Sequence, residues 1–176
     1  MDEFRIVSPM RTAEEVRKTH ELNNVPIDIE DLCSRLNIPV FYADFTEIED
    51  MVKKDVAGVI RHLRGTEQRP ESTTILVNDQ DAKVRQRFTI AHELGHYFLH
   101  MKERDTDEPI ISFRSDNSPR EREANSFAAA LLVPEDLLRE EYGKMVIPVS
   151  DALADIFRVS KAAMRIRLEE LELLYV

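Results

Sequence analysis

Three of the five histidines in this 176-residue chain occupy positions 92, 96 and 100. The first two belong to the pentapeptide HELGH, in which Glu93 directly follows His92. Histidines four residues apart on an α-helix lie on one face, with Cβ atoms about 5–6 Å apart, so both imidazoles can bind a single Zn²⁺. Glu93 would then lie beside the open coordination position as a general base. The spacing predicts hydrolytic metal chemistry, although it also occurs in core helices whose histidines only form hydrogen bonds.

The residues around this pentapeptide predict one long helix. Apolar side chains recur at three- and four-residue steps between positions 84 and 98, and Asp81 is a candidate N-cap. Gly95 should cost the helix about 1 kcal/mol relative to alanine, which indicates close approach by a strand, a metal or a substrate. His100 would lie about 12 Å along the axis from His92, too far for both to bind one ion through bonds of about 2 Å.

The third ligand is expected on a second helix, which begins after Ser118. Ser118 is a predicted N-cap, Pro119 suits the first turn, and Glu121 stands three residues after the serine, as in a capping box. Asn125 follows Glu121 by about one turn and can orient a ligating histidine. From the residues alone, Glu121 is either a ligand or only the capping glutamate, and Glu123 is either the alternative ligand or only a solvated charge.

Together these motifs resemble the ImmA/IrrE family of metallopeptidases. The resemblance rests on RFTIAHELGH at positions 87–96 and on the pattern E-x-E-A-N-x-F-A-x-x-L-L-x-P at positions 121–134. It extends from about Thr12 to Pro134. The upstream segments that share it are PIDIEDL at 26–32, LNIPV at 36–40, AGVI at 57–60 and ILVN at 75–78.

This resemblance implies a zincin-like α+β fold, in which a small mixed sheet packs with helices and a metal site lies between two of them. It implies that Zn²⁺ is held by His92, His96 and a downstream glutamate, matched here by Glu121 with Glu123 as the alternative. Glu93 would accept a proton from zinc-activated water and deliver it to the departing amine, and Asn125 would orient a histidine.

The resemblance also implies a zinc-dependent endopeptidase acting on a protein substrate. Members of the family act on helix-turn-helix repressors, so the expected substrate is such a repressor. The protein would then be an anti-repressor of a phage, a mobile element or a stress response.

Two other functions fit the residues. We expect a metallopeptidase domain at 1–144 and a helix-turn-helix-like segment at 145–176, in which Lys161, Arg165 and Arg167 can face a phosphate backbone. A DNA-binding regulator with a structural zinc is therefore one alternative. However, glutamates follow these cations directly, and the apolar spacing favours packing of the segment onto the main domain. An inactive scaffold that binds its partner without cutting it is the other alternative.

Composition bounds these functions. The chain has 24 basic and 34 acidic residues, a net charge of −10, and a pI near 5.0. Direct binding to nucleic acid is therefore not expected. The single Cys33 excludes an internal disulfide framework and fits a reducing compartment, where it would be a small core residue. No signal peptide or long apolar run is recognisable, so a cytoplasmic protein without membrane contact is expected.

Periodicity predicts the remaining elements. Residues 1–10 are expected to be a loose start, and the polar connector at 102–117 to be either a lid or a solvated loop. Segment 56–60 is a candidate edge strand for receiving substrate, although an internal strand is the favoured alternative. The predicted helices are 12–22, 29–36 after an Asp28 cap, 135–142, 151–157 after a Ser150 cap and 161–174 after a Ser160 cap. Segment 46–55 is either a loop or a short helix. The predicted strands are 40–42, 56–62 and 73–77, of which the last is expected to be central.

Overall fold

The structure is a computed structural model that describes residues 8–101 and 106–176. The elements in these ranges are, in chain order, α1 (Pro9–Thr19), α2 (Ile29–Arg35), β1 (Val40–Ala43), α3 (Thr46–Val52), β2 (Val56–Leu63), β3 (Ser72–Asn78), α4 (Lys83–His100), β4 (Ile110–Phe113), α5 (Pro119–Leu132), α6 (Glu135–Gly143), α7 (Ser150–Phe157) and α8 (Lys161–Glu170).

The four strands form one mixed sheet in the order β1-β3-β2-β4. β1 runs parallel to β3, with Val40 opposite Ile75, whereas β2 is antiparallel to both of its neighbours. Helices cover this small sheet, and α4 contacts both central strands. The predicted α+β class is therefore confirmed, and β3 is a central strand as expected.

The two edge strands of the sheet are β1 and β4, and β2 is not an edge strand. Because β2 pairs with β3 on one side and β4 on the other, segment 56–60 is an internal strand, and the edge-strand interpretation of it is wrong. Ile110–Phe113 therefore belongs to the sheet, and for these residues neither a lid nor a solvated loop is correct. Residues 1–7 of the expected loose start and 102–105 of the connector lie outside the described residues.

Several helices begin where the sequence predicts a cap. The backbone N–H of Asp31 donates to the Asp28 carboxylate (2.9 Å), and that of Ala163 donates to the Ser160 hydroxyl (3.1 Å). These side chains satisfy N–H groups that the first helical turn leaves unpaired. Ser150 differs from the prediction, because it lies inside α7 and its hydroxyl donates to a main-chain oxygen of Val176 at 3.3 Å.

The predicted cap of α4 is also wrong. The helix begins at Lys83, its N-cap position is Ala82, and no side chain caps it. Asp81 instead accepts two hydrogen bonds from Arg114, at 2.9 and 2.8 Å. Both bonds come from Nη2 of Arg114, so the carboxylate is paired with a full positive charge, whereas a cap would pair it with one backbone N–H. The pair with Arg114 also ties the end of β4 to the start of α4.

Among the described residues, the larger of two hydrophobic core clusters joins the helices to the sheet. Ile90 and Leu94 of α4 are fully buried in it, as is Phe127 of α5. The C-terminal helices contribute to the same core, through Leu153, Ala154 and Phe157 of α7 and Met164 and Leu168 of α8. These two helices therefore pack on the rest of the chain, and a domain boundary between residues 144 and 145 stays a prediction.

The histidine helix is central to this core. Across residues 8–101 and 106–176, every helix falls short of the combined length and apolar character that a bilayer crossing needs. Cys33 is 2% exposed, as expected for a core residue, and burial raises the pKa of its thiol to about 12.

Candidate metal centre

Two helices, α4 and α5, carry the residues predicted to bind metal, and their backbones meet at Gly95. A Cβ atom at position 95 would lie 3.0 Å from the Cα of Ala124 and 3.1 Å from its carbonyl oxygen. The neighbour that requires glycine here is thus a second helix, not the strand, metal or substrate expected from the sequence. Glycine allows α4 and α5 to approach closely enough for their side chains to converge.

Three side chains from these helices meet at one point. The Nε2 atom of His92 lies 2.9 Å from Glu121 Oε2, and the Nε2 atom of His96 lies 3.1 Å from Glu121 Oε1. The two Nε2 atoms are 3.1 Å apart. All three residues are buried, and their ligand atoms fall within 4.8 Å of one another. We call these residues the triad.

The triad fits a small divalent ion. Donor atoms about 2 Å from a tetrahedral ion lie about 3.3 Å from one another, close to the separations found here. Asn125 Oδ1 is 2.9 Å from His92 Nδ1 and can only accept, so Nδ1 carries a proton, and in the neutral imidazole that a metal requires the lone pair of Nε2 faces Glu121. Lone pairs of two imidazoles and a carboxylate therefore converge, and a cation between them would relieve their repulsion.

The electrostatics of the triad also favour bound positive charge. Burial raises the pKa of Glu121, but hydrogen bonds and charge from His92 and His96 outweigh it and hold the pKa at about 2. Burial likewise lowers the pKa of His92, but the contact with Glu121 and the charge of Glu93 raise it above the ordinary value. Glu121 is thus ionised, as a metal ligand must be.

Glu93 lies buried beside the triad. It is 0% exposed, and the Ser112 hydroxyl interacts with its carboxylate, although neither oxygen meets full hydrogen-bond geometry with a described residue. Gly58 of β2 leaves room for it, since a Cβ atom there would lie 2.6 Å from Glu93 Oε1. Burial raises the pKa of Glu93 above its usual range, despite the opposing charges of His92 and His96. A carboxylate of raised pKa suits a group that must accept and then release a proton.

The side chain of Glu121 points to the histidines and does not complete a capping box. The N–H of Glu121 donates to the Ser118 hydroxyl at 3.4 Å, so Ser118 caps α5 as predicted. However, the N–H of Ser118, which a capping-box glutamate would accept, donates to Asp116 Oδ1 at 2.8 Å. Asp116 thereby leaves the Glu121 carboxylate free for the triad.

Glu123 and His100 form a separate pair. Glu123 Oε2 lies 3.5 Å from His100 Nε2, and the Glu123 side chain is 45% exposed. Neither residue joins the triad. Of the predicted site residues, the structure brings together His92, His96, Glu121 and Asn125, with Glu93 adjacent, and leaves Glu123 outside.

A cleft of about 220 Å³ opens beside the triad. It is lined by Ala57 of β2, Arg85, Phe88, Thr89 and His92 of α4, Ser112 and Phe113 of β4, Glu121 and Asn125 of α5, and Arg114 and Asp116 after β4. Sequence reasoning missed the contribution of β4, whose signal was only a four-residue β-prone run in a polar connector. Ala57 is an extra residue between the Val56–Phe113 and Gly58–Ser112 pairs, and such bulges redirect side chains near functional sites.

Comparison with known proteins agrees with this arrangement. The family model Peptidase_M78, described as the IrrE N-terminal-like domain, matches residues 33–169. The chain is 30% identical over 125 residues to Metallopeptidase ImmA of Bacillus subtilis, and this aligned region covers 71% of this chain and 63% of ImmA. It is 35% identical over 94 residues to the Radiation response metalloprotease IrrE of Deinococcus radiodurans, which covers 49% of this chain and 27% of IrrE.

The chain therefore matches less than two thirds of the length of either relative. The family match extends beyond the metal-site helices into α8, since it ends at residue 169. The resemblance that the motifs indicated is confirmed: this chain belongs to the Peptidase_M78 family, that of the IrrE N-terminal-like domain.

Proposed function

We propose that this protein is a zinc-dependent endopeptidase. The observation that carries the proposal is the convergence of His92, His96 and Glu121 beside an open cleft, with Glu93 buried next to them. Two imidazoles and one carboxylate are a ligand set of catalytic zinc sites, which keep a further position for water or substrate. Both relatives carry names of metal-dependent peptidases, which supports the same reaction.

Each residue has a defined part in this mechanism. His92, His96 and Glu121 would hold the ion, and Asn125 would fix the tautomer and orientation of His92. Zinc, when bound, supplies Lewis-acid chemistry that makes water more acidic and polarises the peptide carbonyl. Glu93 takes a proton from the attacking water on a carboxylate oxygen and passes it to the nitrogen of the leaving amine.

The substrate would bind as an extended strand along β4. This strand is the sheet edge that borders the cleft, through Ser112 and Phe113. Unpaired backbone groups of an edge strand can hydrogen-bond to an added peptide, which positions a scissile bond without reading its sequence.

The finer proposal concerns the identity of the substrate. We infer from the family resemblance that it is a helix-turn-helix transcriptional repressor, so that the protein acts as an anti-repressor in the cytoplasm. Cleavage of a candidate repressor by the purified protein, followed by gel electrophoresis and mass spectrometry, tests this. Adding a chelator should stop the reaction and adding zinc back should restore it.

The role of Glu93 has its own test. Glu93→Gln preserves size but removes the basic carboxylate, so zinc content should be unchanged while the cleavage rate falls by about 10²- to 10⁴-fold. Zinc is measured by a metal-specific dye after unfolding, and cleavage with a fluorogenic peptide or protein. Full activity in this variant would show that Glu93 is not the base.

A DNA-binding role has weaker support. Arg167 is 4% exposed and donates to the Val133 carbonyl, while Lys161 and Arg165 both pair with Asp151. The candidate cations of the C-terminal helices are thus already engaged within the protein. Salt-dependent binding of the purified protein to DNA would favour this rival function, and binding of the repressor without cleavage would favour an inactive scaffold.

A further inference from the structure

We propose that the cleft beside the triad selects its substrate by charge, and that Arg85 is the residue that recognises a negative charge on the substrate. An apolar side chain of the substrate would enter between Phe88 and Phe113, and an acidic side chain two residues away would contact Arg85. This proposal rests on the proposed peptidase function and names the class of peptide that the site accepts.

The cleft has room for one apolar side chain. Its volume of about 220 Å³ is below the range of about 300–1,000 Å³ typical of sites for whole small molecules. Phe88 and Phe113 line it from α4 and β4, and both are only partly buried by the rest of the protein. The Lys54 ammonium lies over the Phe113 ring, 4.9 Å from its centroid, so an apolar group would cover only the remaining surface of Phe113 together with Phe88.

Of the two arginines that line the cleft, only Arg85 is available to a ligand. Arg114 is held by both oxygens of Asp81, so its charge is already compensated. Arg85 is exposed, and no acidic side chain in the described part of the chain forms an ion pair with it. Its nearby cation Arg87, by contrast, donates to the Ile27 and Arg158 carbonyls.

Arg85 does not stabilise the helix that carries it. It is the third residue of α4, whose first turn contains no acidic residue, and a cation near a helix N-terminus is unfavourable. A residue that breaks a local rule without compensation within the fold is expected at functional sites. In a protein of net charge −10, attraction of an acidic peptide also requires such a local cation.

The spacing of these groups matches an extended peptide. Arg85 and Phe88 are three residues apart on α4, so their Cβ atoms are about 5–6 Å apart on one face. Alternate residues of an extended strand point to one side and lie about 7 Å apart. These two spacings are comparable, so the pair proposed to contact Phe88 and Arg85 is an apolar residue and an acidic residue separated by one position.

The test measures peptide binding to the zinc-loaded Glu93→Gln protein, which is expected to bind peptides without cleaving them. Labelled peptides with a central leucine carry Glu, Gln or Lys two residues before or after it, and fluorescence anisotropy gives each Kd. At one of the two positions, either before or after the leucine, the peptide with Glu should bind about three- to tenfold more tightly than the peptide with Lys. Arg85→Glu should reverse this order, and the milder Arg85→Gln should abolish it.

Arg139→Glu is the matched control. Arg139 is an exposed arginine on α6 that pairs with Glu135 and does not line this cleft, and its reversal changes the net charge by the same amount. The preference for the Glu peptide should persist in this control. Equal binding of Glu and Lys peptides, or a preference that survives Arg85→Glu, would overturn the proposal, as would its loss in Arg139→Glu.

Failure of the peptidase function would look different. If the zinc-loaded wild-type protein cleaves nothing while the Glu93→Gln protein shows the Arg85-dependent preference, the proposed reaction is wrong and the charge-selective cleft stands. If the wild-type protein cleaves peptides without regard to charge, the reaction stands and the role of Arg85 is wrong. Circular dichroism of each variant verifies that it is folded.

Discussion

At the scale of single residues, the choice between Glu121 and Glu123 shows how narrowly the site is defined. The two glutamates are two positions apart on α5, and at 3.6 residues per turn their side chains point about 200° apart. Glu121 is 7% exposed and touches both histidines, whereas Glu123 reaches outward to His100. Two glutamates within one helical turn therefore lie in different environments, Glu121 buried at the triad and Glu123 partly exposed beside His100.

This difference predicts that the same substitution weakens zinc binding at position 121 and has no effect on it at position 123. Glu121→Gln removes the carboxylate proposed to bind zinc, so the zinc affinity should fall by more than about 100-fold, beyond the 10- to 100-fold that loss of an indirect partner costs. Glu123→Gln, the matched control, should leave the affinity unchanged. Competition with a chromophoric chelator measures both, and the reverse result would make Glu123 the ligand.

At the scale of elements, the site depends on the contact between α4 and α5. Each helix holds part of the triad, so the distance between the helices sets the distances between ligand atoms. Gly95 lies against the backbone of Ala124, and backbone atoms cannot turn aside as a flexible side chain would. The glycine that weakens α4 in isolation is therefore needed by the pair.

Gly95→Ala should destabilise the protein and weaken zinc binding. Alanine gains about 1 kcal/mol in helix propensity, but forcing a methyl group into this contact should cost about 1–3 kcal/mol and move the helices apart. Urea unfolding of the zinc-free protein measures the first effect, and chelator competition the second. Gly143→Ala is the control, because nothing lies within 4 Å of its added Cβ, and it should be neutral or stabilising. A Gly95→Ala protein that is more stable than the wild type and binds zinc equally well would contradict the steric argument.

At the scale of the whole molecule, the triad links metal binding to folding. Its three side chains come from positions 92, 96 and 121 and meet only when α4 and α5 pack in the common core. An unfolded chain holds these groups apart, so an ion that binds the triad stabilises the native state selectively.

Zinc should therefore raise the unfolding temperature. At free zinc 100-fold above Kd, binding adds about 2.7 kcal/mol, and a chain of this length gains about 2–4 °C for each kcal/mol, which gives about 5–11 °C. Differential scanning calorimetry with buffered zinc and with chelator measures the shift. Glu121→Gln should lose most of it while Glu123→Gln keeps it. A wild-type protein with no zinc-dependent shift would show that the triad does not bind zinc in solution.

The sequence by itself determined the local features of this protein. The histidine helix, Glu93 between the histidines, the caps at Asp28, Ser118 and Ser160, and the α+β class all follow from periodicity and residue type within short windows. The family motifs at 87–96 and 121–134 are equally local. These features could be predicted because the interactions behind them join residues only a few positions apart.

Only the tertiary structure decided which distant groups meet. In the tertiary structure Glu121 contacts the histidines, Asp81 pairs with Arg114, and Ala124 packs against Gly95. β4 forms the edge of the sheet at the cleft. The tertiary structure also buries Arg167 against the Val133 carbonyl. Each partner is separated from its counterpart by about 25 to 35 residues or by a strand pairing. No periodicity encodes such a pairing, because it results from how the helices and strands pack around the shared core.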